Sequence, residues 1–264
     1  MKATVHITDN YIINPPNPLT VDLVGAGGTG SQMLTALARV NHALLALGHP
    51  GLIVNVYDDD RVSYANLGRQ LFSESEVGFF KSVILVNRMN RFFGTNWKAK
   101  THRFADTLYG EDSYKANLYI TCVDTAKSRF EISELLYDLG SNSRHDRERP
   151  FYWMDLGNSR DTGQVILSTV GQIKQPASDK FNPVAELPFI TEMFREQLEQ
   201  ADQSDDTPSC SLAEALTKQD LFINSAVANL GASLLWQLFR EGMIFNRGMF
   251  INLKTFITQP LRLV

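Results

Sequence analysis

A doubly wound, mainly parallel Rossmann-like α/β sheet is the fold predicted for this 264-residue chain, and three observations predict it. Short apolar runs end in glycine or aspartate. Each is followed by apolar residues at helical spacing. The alternation repeats from Val21 to Val123. The first run, Val21 to Val24, enters Gly25-Ala26-Gly27-Gly28-Thr29-Gly30, after which Met33, Leu37, Val40, Leu44 and Leu47 mark one face of a helix. Gly48 and His49-Pro50 stop that helix, and Leu52 to Tyr57 forms a second strand ending at Asp58-Asp59-Asp60. A helix over about Lys81 to Phe93 follows, then an alternating stretch from Trp97 to Phe104, then a strand Leu118 to Val123 ending at Asp124. In such sheets ligands lie outside the carboxyl ends of the strands, where both acidic strand ends fall.

The second half reads differently. Ser141 to Pro150 is a polar, charged linker, and Phe151 to Leu156 and Gln164 to Val170 flank a turn region Gly157 to Gly163, which predicts a hairpin. Residues 173 to 208 carry four prolines around a helix-like patch, Glu192 to Gln200, which predicts a mobile surface crossover. Ile223, Val227, Leu230, Leu234 and Leu238 stripe a long amphipathic helix, and the β-rich Met249 to Phe256 closes the chain as a strand extension. The expected organisation is an extension over 1–20 and one domain over 21–264. Within it, a nucleotide-binding half runs to about 140 and a second half from about 151.

Composition excludes several classes. Hydrophobic residues make up 44% and charged residues 20%, which excludes a disordered chain. Lys and Arg number 25 against 29 Asp and Glu, for a formal charge of -4, without the basic excess that argues for nucleic acid. No stretch approaches the roughly 20 apolar residues of a membrane span, so no membrane is expected and the cytoplasm is the default location. The two cysteines, Cys122 and Cys210, are too few for a four-cysteine zinc site, so no zinc is expected.

The glycine turn carries the first chemistry. Gly25, Gly27 and Gly30, with Gly28 extra, clear side chains from where backbone amides must approach phosphate, and the helix N-terminus favours an anion. Asp58 lies where a carboxylate accepts hydrogen bonds from ribose hydroxyls. By those criteria NAD and ATP both fit.

The next segment separates them. Asp58 to Gln70 reads DDDRVSYANLGRQ, followed by Gly78 and Lys81. It resembles the Asp-x-Asp-x-Val, Ser/Ala-Asn-Leu-x-Arg-Gln and Gly-x-x-Lys signature of the ThiF/MoeB/HesA and ubiquitin-activating-enzyme adenylyltransferase superfamily. Within it, the sequence is most similar to the ThiF-family members of bacterial PRTRC systems. The likeness runs from about Val21 to Arg129, and more loosely through Gly157, Gly163 to Val165, Ser209-Cys210 and Gln219 to Asn224.

That resemblance implies an enzyme using ATP and Mg2+ to activate the C-terminal carboxylate of a small ubiquitin-like carrier protein ending in glycine. It assigns Gly25, Gly27, Gly28 and Gly30 to the ATP phosphates and Asp58 to the ribose. Asp60 and Gln70 fall in the nucleotide site, while Asn66, Arg69 and Lys81 serve the triphosphate. Asp124 would hold magnesium, with Arg129 as its companion. Arg69, Lys81, Asp124 and Cys210 are thus the expected catalytic residues. Cys210 precedes a capping-box pair, Ser211 and Glu214, and a helix N-terminus lowers thiol pKa. The resemblance gives it the acyl group as a thioester, with a conjugating-enzyme-like acceptor after it, and it implies a homodimer.

Two departures stand against the pattern. Residues 1 to 20 contain no arginine where relatives supply one from an N-terminal helix, and no paired Cys-x-x-Cys motif is present. The rival readings are a non-catalytic nucleotide-binding scaffold and an NAD-dependent oxidoreductase. Cys122, inside an apolar run, reads as core.

Overall fold

The computed structural model describes residues 2–68, 70–109, 116–141, 145–201 and 219–263. Its centre is an eight-stranded sheet. Five strands run parallel: β2 (Leu19–Val24), β3 (Leu52–Tyr57), β4 (Lys98–Lys100), β5 (Leu118–Thr121) and β6 (Tyr152–Asn158). Three antiparallel neighbours extend it: β7 (Thr162–Thr169), β10 (Asn246–Asn252) and β11 (Ile257–Arg262). The order across the sheet is β11-β10-β7-β6-β5-β2-β3-β4. A small sheet joins β1 (Ala3–Ile7) to β8 (Phe181–Pro183) and to β9 (Met243–Ile244).

The strand order reverses at β2, which is flanked by β3 on one side and β5 on the other. The chain leaves β2 into a helix on one face and leaves β5 into a helix on the opposite face. A crevice therefore opens between the carboxyl ends of β2 and β5, the usual ligand position in such sheets.

Helix packing follows from which strand side chains face which way. Leu19, Val21 and Leu23 alternate toward a core shared with α2 (Gly28–Ala46), α3 (Lys81–Phe93) and α7 (Ile223–Glu241). Val24, Tyr119, Trp153 and Ile166 face the other core, built with α4 (Ala126–Ser141), α5 (Ile190–Met193) and α6 (Arg195–Ala201). A short helix, α1 (Asn10–Ile13), is capped by the Asp9 side chain accepting from the Tyr11 amide. Helix α3 ends at Gly94 and α7 at Gly242, both in the left-handed conformation that glycine adopts freely.

The mainly parallel Rossmann-like sheet with its antiparallel extension is the fold the sequence predicts. Several boundaries differ. Strand β2 begins at Leu19, not Val21, because its first residues pair with Leu52 and Ile53. β5 ends at Thr121, since the backbone turns at Cys122 to pass under the glycine loop. Gly157 and Gly163 are strand residues, not turn residues: Gly157 pairs with Gln164 and Gly163 with Asn158, and only 159–161 make the turn. The segment 1–20 supplies β1, α1 and the first two residues of β2, and β10 is followed by β11. β11 is the outermost strand, mostly exposed, and contains Pro260 opposite Met249. Among the described residues, no helix is long and apolar enough to cross a membrane.

Candidate active site

The loop between β2 and α2 is shaped by two backbone contacts. Gly25 has φ of 92°, and a Cβ there would lie 2.7 Å from the Cys122 carbonyl oxygen. A Cβ at Gly30 would lie 1.9 Å from the Gly25 carbonyl oxygen. Neither neighbour is a flexible side-chain end, so only glycine fits at either position. Gly27 is the N-cap, and the first helical bond runs from the Ser31 amide to its carbonyl at 3.0 Å. The first-turn amides of Gly28, Thr29 and Gly30 therefore have no intrahelical acceptor and form an anion cradle.

Asp58 pins this loop from the end of β3. Its carboxylate accepts from the Ala26 amide at 2.6 Å and from the Asp60 amide at 3.0 Å. Burial pushes its pKa up to about 6, against the opposing pull of the Ala26 amide and the nearby Lys81 ammonium. Lys81, the first residue of α3, is buried, with Nζ 2.7 Å from Asp60 Oδ2, and its amide donates to the Asp60 carbonyl at 3.0 Å. Ser82 Oγ donates to the Asp58 carbonyl at 3.0 Å. The start of α3 is thus clamped to the acidic turn after β3, which brings Lys81 to the mouth of the crevice.

Gln70 is buried against the loop, its Nε2 lying 3.9 Å from where a Cβ on Gly27 would be. Its Oε1 is buried and has no hydrogen-bond partner. An unsatisfied buried acceptor costs about 1–3 kcal/mol, which a ligand donor would relieve. Asn66 belongs to a 3₁₀ turn, where its Oδ1 accepts from the Ser63 amide at 2.8 Å and the Ser63 hydroxyl at 3.1 Å. That oxygen shapes the turn instead of facing a ligand alone.

Asp124 is exposed just past β5, the strand beside β2. The residue after it, Thr125, caps α4, its Oγ1 accepting from the Ser128 amide at 3.1 Å. Arg129 is buried in α4, and its Nε is 3.1 Å from both carboxylate oxygens of Asp155. Its Nη1 donates to the Thr125 carbonyl at 3.2 Å, and the Thr121 hydroxyl donates to Asp155 Oδ1 at 2.8 Å. This charged floor ties β5, β6 and α4 together beneath the Asp124 loop. Cys122 is buried, and burial drives its thiol pKa well above the ordinary value, as befits a packing residue. Arg69 and Cys210 lie outside the described residues.

One polar cluster at the loop was not assigned from the sequence. Thr29 Oγ1 is 2.8 Å from Asn158 Oδ1 and 2.9 Å from Asn224 Oδ1, while Asn224 Nδ2 donates to Gln219 Oε1 at 3.1 Å. A Cβ on Gly28 would meet the Asn224 amide at 2.6 Å. The fourth loop glycine is there so that α7 can seat Asn224 against it. The Gln219 to Asn224 likeness was the only sequence signal for this contact.

Comparison with solved structures agrees with this fold. E. coli MccB with MccA superposes with a TM-score of 0.60 at 15% identity, covering 96% of this chain and 65% of that one. MccB with ATP gives 0.54 at 14% identity, covering 95% and 64%, and PaaA gives 0.57 at 13%, covering 92% and 64%. The chain thus spans somewhat under two thirds of the length of these structures, and the likeness is one of fold. No curated protein matches it by sequence. The model of the ThiF family, however, matches residues 18–232, which run from the start of β2 through the glycine loop and the switch point into α7. The chain belongs to the ThiF family.

Proposed function

We propose that this chain is an ATP-dependent adenylyltransferase that activates the C-terminal carboxylate of a small ubiquitin-like protein ending in glycine, as in PRTRC-type systems. The observation that supports the reading is the glycine loop at the switch point, with the Asp58 carboxylate holding its Ala26 amide and the buried Lys81 ammonium clamped to the acidic turn beside it. In the reaction a carboxylate oxygen of the carrier forms a bond to the α-phosphorus, and the bond from that phosphorus to the pyrophosphate oxygen breaks. Lys81 and Arg69 neutralise the charge developing on the departing pyrophosphate. Asp124 would hold Mg2+, an ion that needs only one or two carboxylates beside phosphate oxygens, and the exposed carboxylate past β5 fits that demand. ATP in the similarly folded MccB supports ATP over a nicotinamide dinucleotide.

The second step in this reading is attack of the Cys210 thiolate on the acyl-adenylate carbonyl, forming a thioester and releasing AMP, before transfer to a conjugating-enzyme-like acceptor. A cytoplasmic homodimer is the working assembly. The test is ATP–pyrophosphate exchange with candidate carriers. Exchange that requires carrier, Mg2+ and Asp124 but survives Cys210→Ala supports the reading. Tight ATP binding without exchange for any carrier would favour a nucleotide-binding scaffold, and failure to bind ATP overturns the proposal.

A further inference from the structure

A cavity of about 510 Å3 lies on the sheet face that carries α4 to α6, between the β10–β11 pair and the chain from Val184 to Met193. It falls within the range of small-ligand pockets, roughly 300–1,000 Å3. Most of its wall is apolar, with Val184, Leu187, Met193, Leu261 and Leu263 contributing. Arg247 lines it as well, and this residue is placed by an irregularity: the register of β10 on β11 shifts between Asn246 and Gly248. Such bulges re-aim a side chain.

The state of Arg247 is unusual. It is 3% exposed, and of its donors only Nη2 is engaged, by the Ser168 hydroxyl at 3.3 Å and by the Pro188 carbonyl. Its Nε is buried without an acceptor, and no carboxylate among the described residues pairs with it. Burial lowers its pKa, with Glu192 pulling the other way, only to about 10, so it stays charged at neutral pH. The Glu192 carboxylate is itself held by the Phe189 amide at 2.8 Å and the Tyr137 hydroxyl. Glu186, also on the wall, takes a 3.4 Å contact from Gln172 Nε2. A buried cation with no carboxylate in direct contact is costly, and this one keeps an unused donor beside an apolar wall.

We infer that this cavity binds a carboxylate borne on an apolar group about one amino-acid residue in size, the carboxylate on Arg247 and the apolar part against Leu187, Met193 and Leu261. The exposed Arg262 at its rim adds charge of the right sign. The site is separate from the nucleotide crevice. Gly248 is in register with Ile166, that with Asp155, then Thr121 and Val24. Four strand spacings, roughly 19 Å, therefore separate Arg247 from the glycine loop. The inference does not depend on the adenylation reading.

The experiment is calorimetric titration of the full chain with N-acetyl-L-phenylalanine, its neutral amide, and acetate, each with and without saturating ATP. The acid should bind, with the amide and acetate at least about tenfold weaker, and ATP should leave the affinity unchanged. Arg247→Gln should weaken the acid by about tenfold or more with no effect on the amide, and Met193→Trp, which fills the cavity and keeps the charge, should weaken both. Thermal melts show that each variant is folded, and the Met193→Trp arm decides the matter if Arg247→Gln is not. Equal binding of acid and amide, displacement by ATP, insensitivity to Met193→Trp, or no binding of the acid would each overturn the inference.

Discussion

The Lys81 ammonium lies 2.7 Å from the Asp60 carboxylate, but the lysine side chain is 8% exposed and the aspartate 68%. The pair therefore stores a buried cation behind a solvated anion, and in the proposed function an incoming triphosphate would take over the lysine without uncovering a buried negative charge. Asp60→Asn keeps an oxygen acceptor for the buried ammonium but removes its counter-charge, so it should cost about 1–3 kcal/mol of folding stability. Lys81→Met should lower pyrophosphate exchange by about 100-fold or more. Chemical denaturation and exchange assays on the two variants check this.

The contribution of Asp22 and Asp58 to stability should fall as pH rises from about 4 to 7. Burial raises Asp22 to about 7, with the Asn55 amide and Lys100 opposing, and raises Asp58 to about 6. Between the ordinary carboxylate value and these, the folded chain holds protons that the unfolded chain has released. Asp22→Asn keeps an acceptor for the Asn55 amide, which now donates at 2.8 Å. It should raise Tm above pH 7 and leave it unchanged below pH 4. Melts across that range read the difference.

Gly30→Ala should abolish nucleotide binding, because its Cβ would sit 1.9 Å from the Gly25 carbonyl oxygen. Gly94→Ala, where φ is 69° but no atom lies within 4 Å of the new Cβ, should cost about 1 kcal/mol and leave binding intact. Comparing ATP titrations of the two separates loop geometry from backbone preference.

Removing one partner of the Arg129–Asp155 pair should cost about 3–5 kcal/mol, since their side chains are 6% and 1% exposed and the survivor is left charged. Arg129→Met combined with Asp155→Leu should recover part of that loss. A double-mutant cycle in denaturant measures it.

Cys122 should resist alkylation until the chain unfolds, as its burial and raised thiol pKa require. In a Cys210→Ala background, native protein treated with iodoacetamide should stay unmodified and denatured protein should react.

Much of this molecule was legible in its residues because the signals were local. Leu52–Tyr57 and Lys81–Phe93 follow from apolar periodicity and their flanking breakers, and the glycine loop from its place between the Val21 to Val24 run and the helical stripe that begins at Met33. The place of Asp58 directly after β3 was legible because the end of a second strand in such a unit has a fixed position. What escaped depends on partners distant in sequence. β1 pairs with residues 181–183 and with 243–244, so nothing near Ala3 announces it. Gly157 and Gly163 look like turn residues but are strand positions: a Cβ at Gly157 would meet the Gln164 amide at 2.2 Å, and one at Gly163 would meet Val227 at 2.4 Å. The Asn224 contact with Gly28 spans 196 positions and becomes visible only once α7 lies against α2.

Pro260 has a consequence for how these molecules meet one another. An outermost strand offers its free backbone groups as a template, and a neighbouring molecule can continue the sheet by laying a strand along them. Proline contributes no donor at that position, so the template is interrupted within β11. Sheet growth from molecule to molecule has no unbroken rail to follow at this edge. At this edge, then, an added strand would lose a backbone partner at Pro260 and pair along only part of β11.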